Sequence, residues 1–524
     1  MGPAHGGRGD AAKPEERRHQ RDNDKDNRII DEVSGHVRAT PGWAEGSAVD
    51  LLNANTRILF RRTEQKGLEW ASSPGRQMVA FSLNMQAMAE NHELAKATVR
   101  LDALTDWERR PRGMMRVGLE PMIDLAARLG DPQNSFRSIH VAGTKGKGSV
   151  SALIEAALTR AGLRVGRYAS PHVERLTERV SLEGREVDEA SLARALDSAL
   201  DAYAAARKAG SPAVDATWFD LLTASAFIIF AETRCEWAVV EVGIGGRLDS
   251  TNIVNGEIAV VTNIGLEHTE ILGETRAAIA GEKVGILKPR AALITSLDPH
   301  DEAGRVLEAR AEELGSPVVR PRPGPKATIE EANVALAGAA LDQLGGLSVR
   351  APAAGGAAVG AWLLDEKTRA AARLNGRMER FDIEVGSRRV PVVLDGAHVP
   401  FNLEAVLSDL ARTSDLSGPC VAIVALAADK DAKGFVAELG KRAPTIVFTD
   451  LPGSSRGRSP AELQRLAASL GLASEAEPDA KRAFRRGAEL ATEANAWLLV
   501  TGSLYLVGAL RGAVVEAAGR HPPP

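Results

Sequence analysis

The stretch Gly143-Thr144-Lys145-Gly146-Lys147-Gly148-Ser149 joins a short apolar run to a helical pattern. Glycines let successive backbone N–H groups turn toward one anion. The helix that follows adds its positive end, and a lysine neutralises phosphate. The strict phosphate-loop pattern would need Gly at 141 and Ser or Thr at 148, and the chain has Val141 and Gly148 there. An ordinary glycine-rich strand-to-helix turn is the competing reading.

Three further stretches place reactive groups where apolar runs end. Glu241 is followed by Val-Gly-Ile-Gly-Gly-Arg-Leu-Asp-Ser-Thr-Asn252. A carboxylate at a strand end, with glycines beside it, suits Mg²⁺ next to nucleotide phosphates, and a helix-capping carboxylate is the plainer alternative. His268 lies in Thr262-Asn-Ile-Gly-Leu-Glu-His-Thr269, after a strand expected to neighbour that of Glu241 and to end on the same edge. A lone histidine there is either a ligand or a hydrogen-bonded structural residue. Val393-Leu-Asp395-Gly-Ala-His398-Val-Pro400 repeats the strand-to-helix arrangement much later. Three of the ten histidines, His172, His268 and His398, thus fall at strand ends, as if around one cleft. Lys283, in Gly281-Glu-Lys-Val-Gly-Ile-Leu-Lys288, reads by itself as a solvated helix end.

The elements that would hold these groups follow from hydrophobic periodicity. A helix is expected over 119–129, a strand over 138–142, a helix over 149–160 and a strand over 163–169, which together make a βαβ unit. Helices over 189–208 and 219–230 and buried strands over 237–242 and 258–262 extend this to a three-layer α/β pattern. Pro/Gly/Ala-rich segments at 320–326 and 350–360 interrupt it. A second alternating series starts near Phe381: strands over 390–394, 421–425, 445–448 and 496–500, with helices over 402–410, 435–442, 460–470, 480–492 and from 504. The expected organisation is an N-terminal extension, 1–94, at least partly disordered because its first thirty residues are charged and lack apolar period. A larger α/β unit, 95–376, and a smaller one, 377–522, follow.

The bulk composition bounds the partners. The 524 residues carry 65 Lys plus Arg against 69 Asp plus Glu, a formal charge of −4, which gives no electrostatic footprint for nucleic acid or anionic membrane. Two cysteines, Cys235 and Cys420, lie beside apolar runs without CxxC or histidine neighbours, and buried free thiols are expected. No signal-peptide core or bilayer-length apolar run stands out, so a cytoplasmic protein is expected.

The motifs HVAGTKGKGS (140–149), SPH with TERV (170–180), TWFD (217–220), EVGIGGRLDSTNIV (241–254), LEHTEILG (266–273), GEKVGILK (281–288), GRMERFD (376–382), LDGAHVP (394–400), DKD (429–431) and TGSLYLVG (501–508) run in one order over roughly residues 97–515. Together they resemble the folylpolyglutamate synthase/dihydrofolate synthase family of the Mur ligase superfamily. The resemblance implies a Mur-ligase-like fold, a phosphate-loop-type three-layer ATPase domain followed by a smaller Rossmann-like domain. It implies ATP-dependent ligation of L-glutamate to a dihydropteroate or reduced-folate carboxylate through an acyl phosphate, with two Mg²⁺ ions and a monomeric enzyme.

By the same resemblance Gly146, Lys147, Gly148 and Ser149 hold the ATP phosphates, with Asn333, Arg377 and Asp395 as further nucleotide contacts. Ser170, Glu241 and His268 match metal ligands, and Lys147, His268 and a carbamylated Lys283 match catalytic positions. Thr217, Trp218, Phe219, Asp220, Leu248, Asp249 and Ser250 match the pterin pocket, and Ser503 and Tyr505 face glutamate. The chain departs from the family at Lys145 (usually Asn, so charge is added beside the phosphates), Glu267 (usually Asp), Val399 (usually Asn) and Asp220 (often Glu). The segment between Lys288 and Asn333 is also short, and the extension has no counterpart. Another Mur-type amino-acid ligase, or a catalytically silent nucleotide-binding relative, are the readings set against this one.

Overall fold

The computed structural model describes residues 92–106 and 118–519, apart from 325, 417 and 455. The disorder expected for the N-terminal extension therefore falls outside the described residues, except at 92–94. There a helix over 92–102 crosses the expected boundary, with Ala97 and Leu101 fully buried and Leu94 packed against the same core.

Eight strands make the first sheet: β1 (Arg137–Ala142), β2 (Val165–Tyr168), β3 (Val180–Leu182), β4 (Arg185–Glu186), β5 (Trp237–Glu241), β6 (Gly256–Val261), β7 (Ala292–Thr295) and β8 (Val318–Val319). Their order is β4-β3-β2-β5-β1-β6-β7-β8, parallel except that β3 runs against its neighbours β2 and β4. Sandwiching by helices explains why the central strands read as unbroken apolar runs. In β5, Ala238 and Val240 face the helices Glu189–Ala209 and Trp218–Glu232, while Trp237 and Val239 face the helices Lys147–Arg160 and Ile329–Gly346. β5 and β6 are not neighbours as expected, because β1 lies between them, although all three end on one edge.

Between Lys288 and Asn333, where no element was expected, lie β7, the helix Glu302–Glu313 and β8. Their periods are short, and the helix buries only a narrow stripe, Ala303, Gly304, Leu307 and Ala311. The Pro/Gly/Ala-rich stretch near 350 holds a two-stranded ribbon, β9 (Arg350–Ala351) with β10 (Ala357–Ala358).

The second sheet comprises β11 (Glu379–Val385), β12 (Arg388–Leu394), β13 (Cys420–Val424), β14 (Thr445–Phe448), β15 (Ala473–Ala476) and β16 (Trp497–Thr501). Its order is β11-β12-β16-β13-β14-β15, with only β11 antiparallel. Alternate residues of β13 feed two cores: Cys420, Ala422 and Val424 on one face, Val421 and Ile423 on the other. Both cysteines are free and buried, and burial pushes the Cys420 thiol up to about 12. Among the described residues no helix is long and apolar enough to cross a membrane.

Candidate active site

The parallel strands β1, β5 and β6 end on one edge, where loop backbone and helix N-termini collect. After β1 the chain turns through Gly143, φ 147°, and Gly146, φ 85°, into the helix Lys147–Arg160. The positive φ disfavours a side chain at both glycines. A Cβ at Gly143 would lie 1.9 Å from Thr262 Oγ1, and one at Gly146 2.7 Å from Asn333 Oδ1. The loop is fastened to the end of β6: Asn263 O accepts from Thr144 N (2.9 Å), Asn263 Oδ1 accepts from Lys145 N (2.9 Å), and Thr262 Oγ1 donates to Lys145 O (2.6 Å). Thr262 and Asn263 were not singled out from sequence, and their only signal was their place one step past a buried strand. Lys147 Nζ donates to Gly143 O at 3.2 Å, which holds its charge over the turn.

Glu241 ends β5 and is buried, and desolvation raises its carboxyl pKa against the opposing pull of Lys147, Arg377 and Arg167. Its one hydrogen bond among the described residues is a long one, 3.4 Å from Ser170 N. A buried carboxylate so poorly supplied with donors is suited to a cation. Gly148 lies against it, since a Cβ there would be 3.4 Å from Glu241 Oε2. His268 sits at φ 55°, a backbone region that few non-glycine residues adopt. Its ring lies within reach of Glu270 and Asp429, three ligand atoms mutually within 4.8 Å. His172 belongs neither to this group nor to the cavity wall, and its Nδ1 accepts from Arg179 Nε at 2.8 Å.

Lys283, near the end of the helix Arg276–Val284, is 5 % exposed rather than solvated. Burial first, and the cations Lys147 and Lys145 next, lower its pKa to about 7, against the carboxylates Glu267 and Asp249. Lys145 does not offer its amine to the phosphate turn. Its Nζ donates to Glu267 Oε1 at 2.9 Å and lies 2.8 Å from His398 Nε2, which is itself 2.7 Å from Glu267 Oε1. The positive charge expected beside the phosphates is thus spent on a contact between the two sheets. Lys430, 3.6 Å from Glu267 and 3.3 Å from Asp429, extends this junction, and Arg456 binds Asp429 at 3.1 Å. Asp429 and Lys430 belong to the DKD stretch, whereas no sequence motif marks Arg456.

A cavity of about 1430 Å³ runs between the sheets. Its wall includes Gly146, Lys147, Gly148, Ser149, Ser170, Glu241, His268, Asn333, Arg377, Asp395, Ser503 and Tyr505. Asp395, on the second sheet, accepts from Met378 N (2.9 Å) and Ala397 N (2.8 Å), and burial raises its pKa while Arg377 opposes.

Thr217, Phe219, Asp220, Leu248, Asp249 and Ser250 also line the cavity, and Trp218 does not. Trp218 is buried under Arg179, 4.8 Å from its ring, and donates to Asp102 Oδ1 at 2.9 Å. The two aspartates are occupied locally. Asp220 completes a capping box with Thr217 and accepts from Ser250 Oγ at 2.6 Å, and Asp249 accepts from Thr251 N and Ile244 N. They hold the pocket walls rather than present bare carboxylates. His140, with its pKa lowered to about 3 by burial, ties β1 to this segment through Thr251 Oγ1 at 2.9 Å.

Comparison with known proteins assigns both α/β units to families. Residues 141–336 match the Mur ligase middle domain and residues 376–504 the Mur ligase glutamate ligase domain. The chain is 33 % identical over 359 residues to a dihydrofolate synthase/folylpolyglutamate synthase of Mycobacterium tuberculosis, covering 61 % of this chain and 72 % of that one. It is 30 % identical over 415 residues to a folylpolyglutamate synthase of Lacticaseibacillus casei, covering 74 % and 92 %. Some curated relatives are matched over about half their length, as with 48 % of the Bacillus subtilis enzyme. Among solved structures, the Mycobacterium tuberculosis folylpolyglutamate synthase complexed with ADP superposes with a TM-score of 0.68 at 27 % identity, covering 83 % of this chain and all of that one. A Yersinia pestis enzyme with Mn, AMPPNP and L-glutamate bound gives 0.63 at 27 %, covering 80 % and 97 %. The chain belongs to the folylpolyglutamate synthase/dihydrofolate synthase family of the Mur ligase superfamily, the ATP-dependent glutamate ligases.

Proposed function

We propose that this chain binds ATP at the turn after β1, activates a pteroate or folate carboxylate as an acyl phosphate, and joins it to the amine of L-glutamate. The observation that carries this reading is the meeting, across one cavity, of the phosphate turn and buried Glu241 with Arg377, Asp395 and His398 of the second sheet. A carboxylate is a poor electrophile, and phosphorylation gives it a good leaving group. Transfer between two anions needs positive charge fixed in advance at the transferring group. Lys147 and the N–H groups at Gly146–Ser149 supply that charge, and Arg377 approaches from the opposite wall.

Ser170, Glu241 and His268 would hold Mg²⁺, with a second ion beside a carbamylated Lys283. Such ions would offset charge on the phosphate oxygens. Asn333, whose Oδ1 faces Gly146, and Asp395 would hold the nucleotide. Thr217, Phe219 and Leu248–Ser250 would receive the pterin, and Ser503 and Tyr505 the glutamate. We assign residues 95–376 to nucleotide and folate binding and 377–522 to the glutamate half, acting as a monomer. Enclosure between the sheets keeps water from a hydrolysable acyl phosphate.

Mass spectrometry of products from dihydropteroate and from tetrahydrofolate, each with L-glutamate and Mg·ATP, tests this. A mass gain of one glutamyl unit with matching ADP release is expected for at least one acceptor. ADP release and ligation only with a nucleotide-linked cell-wall precursor would assign the chain to another Mur-type reaction, and no turnover with any acceptor would mark a silent relative.

A further inference from the structure

Arg511, on the helix Leu504–Ala517, is a buried cation that the chemistry above does not use. Its guanidinium grips Glu379 with two bonds, Nε to Oε2 and Nη2 to Oε1, both 2.9 Å, and donates through Nη1 to Glu174 Oε2 at 2.7 Å. Glu379 opens β11, and its Oε2 also accepts from Gly376 N at 2.9 Å, one residue before Arg377. Glu174 lies in the loop 170–179 that begins with Ser170. The N–H groups of Val173, Glu174 and Arg175 all converge on Glu178 at 2.7–2.8 Å, so the loop is a fixed body.

That body lies flush on the second domain's helix. A Cβ at Gly508 would come 2.0 Å from Val173 O, and one at Gly376, φ +64°, 2.6 Å from Val507. One forked cation thus joins the Ser170 loop, the turn before Arg377 and the C-terminal helix. Two carboxylates, only 22 % and 20 % exposed, face it, and without the guanidinium they would repel each other.

We infer that Arg511 is a positioning residue for the ligation reaction: through Glu174 and Glu379 it sets Ser170 and Arg377 relative to each other. The inference rests on the proposed placement of Ser170 at the metal and of Arg377 at the nucleotide. Only an arginine fork serves both carboxylates at once, and a lysine offers a point charge in its place.

Initial rates measured against Mg²⁺ and against ATP, with melting temperatures, test it in the full chain. Arg511→Gln should raise half-saturating Mg²⁺ and the ATP KM about five-fold, the scale of coupling carried by such networks, with a smaller fall in kcat. Glu174→Gln should move both in the same direction. The double variant should be no worse than Arg511→Gln alone, because the two residues act through one contact. Arg511→Lys should fall between Arg511→Gln and the parent. Should Arg511→Gln fail to fold, Glu174→Gln carries the test, since Arg511 then keeps Glu379.

A lower melting temperature with unchanged Mg²⁺ and ATP half-saturation in folded Arg511→Gln and Glu174→Gln would overturn the inference. Ser170→Ala in the same assay separates the two levels. If it shifts Mg²⁺ dependence and the other variants do not, Arg511 is merely structural. If it shifts nothing, the placement of Ser170 falls, and the inference with it.

Discussion

Lys283 gives a prediction with a magnitude. An ordinary lysine, with a pKa near 10.5, holds a neutral amine in roughly one molecule in three thousand at pH 7. Burial and the cations Lys147 and Lys145 bring Lys283 to about 7, so about half of its amines are neutral there. That gain of about a thousandfold in reactive amine favours addition of CO₂, in which a N–C bond forms, one amine proton leaves and an anionic carbamate results. Between about pH 7 and 10.5 the unfolded chain keeps this proton and the folded chain lacks it. The group's contribution to stability therefore rises with pH across that window and is lowest below about 7. Ligation should fall as pH is lowered through about 7, and added bicarbonate should move the fall to lower pH. Carbon-13 NMR after exchange with labelled bicarbonate should show one carbamate carbonyl, absent from Lys283→Ala. That variant should lose ligation and partly regain it with a short carboxylic acid. Full turnover in CO₂-depleted buffer without a carbamate signal would refute the reasoning, as would a pH profile unchanged in Lys283→Ala.

Lys147→Ala should lower turnover about a hundredfold or more, with little change in melting temperature, because among the described residues its side chain's one hydrogen bond is the 3.2 Å contact to Gly143 O. Near-normal turnover would remove the turn from the site. Asp395→Ala should raise the ATP KM and also destabilise the chain by about 1–3 kcal/mol, since the N–H groups of Met378 and Ala397 lose their acceptor. Calorimetry and ATP titration together check this, and unchanged values in both would count against the assignment. A chain starting at residue 92 should keep full turnover. One starting at 103 should melt lower, because burying Leu101 alone contributes about 2 kcal/mol. Loss of activity in the folded longer form would show that the first 91 residues take part in the chemistry.

Much of this was legible in the sequence. Strands β1, β5, β6, β12, β13 and β16 are buried along most of their length because helices cover both faces of their sheets, so each stood out as a short, mostly apolar run. The glycines at 143 and 146 marked the turn, and both adopt the positive φ that favours glycine. β7 and β8 are short strands toward the margin of the first sheet, and the helix Glu302–Glu313 shows only a narrow buried stripe, so none of the three was legible.

What residue types and spacing determined was therefore local: which segments are strands, which turns admit an anion, and which reactive groups end on a sheet edge. The partner of each group was decided only by tertiary structure. Lys145, expected at the phosphates, meets Glu267 and a histidine 253 positions away, and Arg511 meets Glu174 across 337. Asp220 and Asp249 stand in the right motifs, yet their oxygens are taken by capping and by Ser250. Lys283 looks solvated along its own helix and is desolvated by packing against other elements. Periodicity and turn chemistry act over a few residues. Burial, and with it the pKa of a lysine or the choice of a carboxylate's donor, depends on how two separately wound sheets dock.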